Sequence, residues 1–71
     1  MTKFKVLLSN GKMGAIVTGK ARDGYYGTYF GYGARGVGPV LGEETEDDAY
    51  LEIFDKVDEA LGVEDVWVEW R

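Results

Sequence analysis

A chain of 71 residues has room for one domain with one core and no second domain. It contains no Cys and no His, which excludes disulfides, thiolate metal sites and the imidazole ligands of zinc, copper and haem. The net charge of −5 hides two opposed halves, because residues 1–42 sum to +5 and residues 43–71 to −10.

The first segment, Thr2 to Leu8, alternates with Phe4, Val6 and Leu8 on one side and Lys3, Lys5 and Leu7 on the other, the period of a half-buried strand. Asn10-Gly11 then marks a hairpin, read as a type I′ turn that takes two residues with positive φ. A second strand is predicted from about Lys12 to Lys20, with Gly14 and Gly19 marking a bulge or a close approach. Asp23-Gly24 repeats the turn signal and leads into a third strand, Tyr25 to Tyr32. In that strand Tyr26, Thr28, Phe30 and Tyr32 share one face, and Tyr25, Gly27, Tyr29 and Gly31 share the other.

Residues 31–42 hold five glycines and Pro39 and are expected to form an irregular loop. A helix follows. Thr45 caps it, Glu46, Asp47 and Asp48 meet its unpaired amides and positive dipole end, and Gly62 closes it in a left-handed cap. Tyr50, Ile53, Phe54, Val57, Ala60 and Leu61 recur at helical spacing as its buried stripe. A last strand, Val66 to Trp70, places Val66, Val68 and Trp70 on one face and Trp67 and Glu69 on the other. The expected fold class is α+β. An antiparallel sheet of about four strands, in the order β-β-β-α-β, packs on one acidic amphipathic helix, in a single compact domain over 1–71 with a glycine-rich loop at 31–42. No second helix is left for the other sheet face, which is expected to expose Leu7, Tyr25, Tyr29 and Trp67.

The opening run Met1 to Leu8 with Asn10-Gly11-Lys12 resembles the first hairpin of the immunoglobulin-binding domains of streptococcal surface proteins, and Gly62-Val63 to Trp67 is similar to their helix exit and third strand. The resemblance implies a β-grasp order of hairpin, helix, hairpin. The chain departs from it by an extra strand and a long glycine loop before the helix, and by having no final strand after Trp70. No binding function is carried over.

Known chemical motifs do not find their context here. Gly31-x-Gly33-x-x-Gly36 matches a dinucleotide fingerprint as text, but Gly38 and Pro39 follow it where a helix must open. The carboxylate pairs Glu43-Glu44, Asp47-Asp48 and Asp58-Glu59 sit beside one another on or near a helix, not across a cleft, so no enzyme activity is expected. Those acids have neither the spacing nor the loop of an EF-hand, and no metal or cofactor is expected. Nor is a membrane partner, since the start lacks a signal-peptide core and no stretch approaches the roughly 20 apolar residues of a span. A cytoplasmic location follows as the expectation.

Three functions remain. The preferred one is a non-enzymatic protein-binding module, self-association included, anchored by Tyr25, Tyr29, Tyr32 and Trp67 with Arg35. The size, acidity and lack of known motifs suit a small phage or mobile-element inhibitor. The second is single-stranded nucleic-acid binding, with Tyr25, Tyr29 and Tyr32 stacking on bases and Lys3, Lys5, Lys20, Arg22 and Arg35 on phosphates. The third is mimicry of a nucleic-acid backbone by Glu44, Asp47, Asp48, Glu52, Asp55 and Glu59 on the helix face.

Overall fold

The structure is a computed structural model that describes residues 1–70. Five strands and one helix follow in the order β1 (Thr2–Leu8), β2 (Met13–Ala21), β3 (Gly24–Gly31), β4 (Val40–Glu43), α1 (Glu46–Leu61) and β5 (Val63–Trp70). The strands form one sheet in the order β4-β3-β2-β1-β5, antiparallel throughout. The fold is α+β, as the patterning predicts, with one strand more than expected.

That extra strand comes from the glycine segment. After β3 the chain makes a short 3-10 turn, Ala34–Gly36, buries Val37 and Val40, and adds β4 to the outer edge of β3. Val37 and Val40 explain why a segment so rich in glycine is not structureless. Each is an apolar anchor in the core, and Gly38-Pro39 carries the chain from one anchor to the next.

Both hairpins form where Asn-Gly and Asp-Gly stand, but neither uses a type I′ turn. At the first, Gly11 alone has positive φ and donates to Leu8 O at 3.0 Å, while Asn10 Oδ1 accepts from the Lys12 amide at 2.9 Å. At the second, Ala21 pairs with Gly24, so Arg22 and Asp23 form the tip and Gly24 (φ +136°) begins the strand.

The helix begins at Glu46, as its cap signal indicates. Thr45 stays extended and its hydroxyl accepts from the Asp48 amide at 3.1 Å. Thr45→Ala is expected to cost about 1 kcal/mol and to lower Tm by roughly 4–8 °C in a thermal melt. Gly62 ends the helix with positive φ, but at ψ 124° it is not the left-handed cap expected. It passes straight into β5, and the Val63 amide donates to Asp58 Oδ1 at 2.9 Å.

The core lies between α1 and one sheet face. Val6, Leu8, Ile16, Tyr29, Val37, Val40, Ile53 and Val57 are its buried residues. Of the predicted helix stripe, Ile53 and Val57 are fully buried and Ala49 joins them. Tyr50, Phe54 and Leu61 are half-buried, and Ala60 is exposed. Tyr50 and Phe54 continue a run of rings from Phe4, with centroids 4.3 and 5.7 Å apart. Thr18, buried on the same face, donates its hydroxyl to Glu46 Oε2 at 2.7 Å and so ties the first helical turn to the middle of the sheet.

Candidate interaction surface

The register decides which residues meet the helix. Phe4 pairs with Ile16 and Ile16 with Tyr29, so all three share a face, and Ile16 and Tyr29 are core residues. Tyr29 is therefore buried, at 4% exposure, and its hydroxyl donates to Tyr32 O at 2.6 Å. Tyr25 pairs with Lys20 and Glu43 on that same helix side and is half-buried. The expectation that Tyr25 and Tyr29 lie on the uncovered face is thus corrected. Its physical reason is Gly27. The face that looks empty in the sequence is where the helix comes closest, because a Cβ on Gly27 would lie 2.9 Å from Ala49 O and from Ile53 Cγ2. Gly14 serves the same end by leaving space for the Tyr29 ring.

The opposite face carries the alternate residues, and no element among the described residues covers it. Three cross-strand rows can be traced. The central row runs Trp67, Lys5, Ala15, Phe30 across β5, β1, β2 and β3. On one side lie Asp65, Leu7 and Met13; on the other, Lys3, Val17 and Thr28, with Glu69 held to Lys3 at 3.9 Å. Phe30, Trp67 and Met13 are 56, 42 and 40% exposed, high values for large apolar side chains standing on one face. Because Ala15 is small, a shallow hollow of about 470 Å³ opens over it, walled by Lys3, Lys5, Met13, Phe30 and Glu69.

The charge on this face is balanced. Lys3 and Lys5 stand against Asp65 and Glu69, and both ammonium groups lean toward β5: Lys3 onto Glu69, and Lys5 over the Trp67 ring at 5.9 Å. The basic, tyrosine-lined face expected from the sequence is dispersed. Lys20 goes with Tyr25 to the helix side, Arg22 to a hairpin tip and Arg35 to the 3-10 turn, while Tyr32 sits past the end of β3 with Lys12 Nζ 6.0 Å from its ring.

No family model, curated protein or solved structure matches this chain.

The helix acids Asp47, Asp48, Glu52, Asp55 and Glu59, with Glu44 just before them, are all exposed. Glu52, Asp55 and Glu59 line a second depression of about 480 Å³ whose other wall is Gly36, Val37 and Gly38. Among the described residues no three carboxylates come together at metal-binding distance, and no buried side-chain polar atom lacks a hydrogen-bond partner. The expectation for the Trp70 side chain lies outside the described residues.

Sequence patterning missed Phe30 and Met13 as candidates and placed Trp67 correctly on the open face. No local signal in β3 separates its two faces, since both carry rings; the approach of α1 at Gly27 leaves Tyr26, Thr28 and Phe30 for the other side.

Two phenols are shifted by the packing. Burial pushes Tyr29 and Tyr50 above the ordinary tyrosine value. Above about pH 10 the unfolded chain ionises these phenols while the folded chain still holds them neutral. Stability is thus expected to be flat with respect to these groups below about pH 10 and to fall above it. Denaturant unfolding across that range should show Tyr50→Phe falling less steeply than the parent.

Proposed function

We propose that this chain is a small, non-enzymatic protein-binding module that engages its partner through the open face of the sheet. The observation that carries the reading is the central row, in which two large exposed rings, Trp67 and Phe30, flank Lys5 and Ala15 on a face with no covering element among the described residues. Aromatic anchors around a small-residue hollow are the usual makings of an interface centre. Apolar surface of this kind costs free energy while it stays in water, and a protein partner removes that cost.

Nucleic acid is a poorer fit to the same face. A strand of phosphates needs net positive charge along its path, and here two carboxylates offset two lysines. The exposed helix acids support mimicry of a nucleic-acid backbone as a second reading, and one experiment separates the two. Partner retention from an extract of the source cells is compared for the parent, for Phe30→Ser with Trp67→Ser, and for Asp55→Asn with Glu59→Gln. The sheet-face pair is expected to lose retention by at least about tenfold, as for the loss of interface hot spots, while the helix pair leaves it unchanged. Loss with the helix pair alone contradicts the sheet-face reading.

A further inference from the structure

The open face fits a second copy of this chain. We propose that two copies pair face to face, with their two-fold axis parallel to the strands and passing between β1 and β2. The inference rests on the reading of the open face as the binding surface.

The central row sets the geometry of the pair. Its order is ring, lysine stem, small residue, ring: Trp67, Lys5, Ala15, Phe30. Turning a second copy about an axis along the strands reverses that order from left to right and keeps the rows in register. Trp67 of each copy then meets Phe30 of the other, and the Lys5 stem of each lies over the hollow at Ala15 of the other. Bulk faces bulk at the edges and fills space at the centre, which is how two packed sheets interdigitate.

Charge selects this axis over the alternative. An axis across the strands stacks Lys5 on Lys5 and sets Asp65 of one copy against Glu69 of the other, which is unfavourable twice over. The axis along the strands brings no like charges into opposition within a row. Both ammonium groups are already drawn toward β5 by Trp67 and Glu69, so it is the apolar stems that lie near the centre. The described residues of the face sum to zero charge, and the lysines that flank the axis each keep a partner on their own β5, Glu69 for Lys3 and the Trp67 ring for Lys5.

Size agrees. The Cα trace spans 35 × 24 × 15 Å, a flat slab. The two longer dimensions bound the broad side of the slab near the ~800 Å² that each partner contributes to a standard stable interface, which is the upper limit of the contact.

The test uses the full chain and its freedom from cysteine. Sedimentation equilibrium from micromolar to millimolar protein is expected to show a monomer–dimer equilibrium. Ala15→Arg fills the hollow from an open strand position and is expected to weaken it at least about tenfold, with circular dichroism unchanged. A short bismaleimide is then applied to Thr28→Cys, to Glu69→Cys and to a mixture of the two. Cross-linked dimer is expected in the mixture and not in either variant alone, because Glu69, in the β5 bulge beside Lys3, lies near Thr28, the β3 end of the Lys3 row, in the partner. A dimer indifferent to Ala15→Arg and without the mixed cross-link overturns the geometry. A monomer at every concentration overturns self-association. If that monomer still gains protection of Met13, Phe30 and Trp67 in cell extract, only the self-association inference falls. If it gains none, the binding-face reading falls with it.

Discussion

Gly27→Val is expected to destabilise the domain, although it replaces a poor strand former with a very good one. Glycine inside a strand is unfavourable, and valine at an open position of β3 would raise stability by several tenths of a kcal/mol. The structure reverses the sign. A Cβ at Gly27 would lie 2.9 Å from the carbonyl oxygen of Ala49 and from Ile53 Cγ2. The first of these is helix backbone and cannot turn aside as the end of a side chain can. Accommodating even one methyl means lifting α1 from the sheet, and overpacking of this kind costs about 1–3 kcal/mol or more. Valine adds two further methyls to the same gap. Chemical denaturation of Gly27→Ala and Gly27→Val should show stepwise loss. Stabilisation by valine would mean that the helix lies on the other face.

Ile53→Ala is expected to be the most damaging single truncation. Ile53 is fully buried at the middle of α1, and it is the side chain that meets the Gly27 gap. Buried isoleucine-to-alanine changes cost about 2–5 kcal/mol, because the cavity left behind closes only in part. A native domain of this length holds about 4–10 kcal/mol in total, so roughly half of it is at stake, and a fall in Tm of at least about 10 °C follows. Leu51, on the same helix but 56% exposed, is the control. Leu51→Ala should change stability by no more than about 0.5 kcal/mol. If the two variants melted alike, the helix would be packed through another face.

These two positions also show what could be read from the sequence. β1, the two hairpins and α1 were legible because each carries a local signal: the alternation from Phe4 to Leu8, the turn glycines, and the Thr45 cap with its acidic first turn. β4 was not, since Val40 and Leu41 stand among Gly38, Pro39 and Gly42, and only pairing with β3 makes them a strand. The last strand begins at Val63 and not at Val66, because Gly62 turns the helix directly into it.

The face of β3 could not be settled by alternation alone. Both sets of side chains contain rings, and the deciding quantity is the distance from the helix to the sheet at Gly27, which is a tertiary fact. That one inversion carried Tyr25 and Tyr29 away from the candidate surface and brought Phe30 onto it. The basic face counted along the sequence is absent from the folded surface for a separate reason. Lys20, Arg22 and Arg35 go to three different places, and Asp65 and Glu69 arrive on β5 beside Lys3 and Lys5.

The most direct test of the central claim, that the open sheet face is the binding surface, is hydroxyl-radical footprinting of side chains in cell extract and in dilute buffer. Met13, Phe30 and Trp67 are expected to be oxidised readily in dilute buffer and to become protected in extract, while Leu51, exposed on the helix, keeps the same reactivity in both. Equal reactivity of Met13, Phe30 and Trp67 in the two conditions, or protection confined to Leu51 on the acidic helix, would contradict the account.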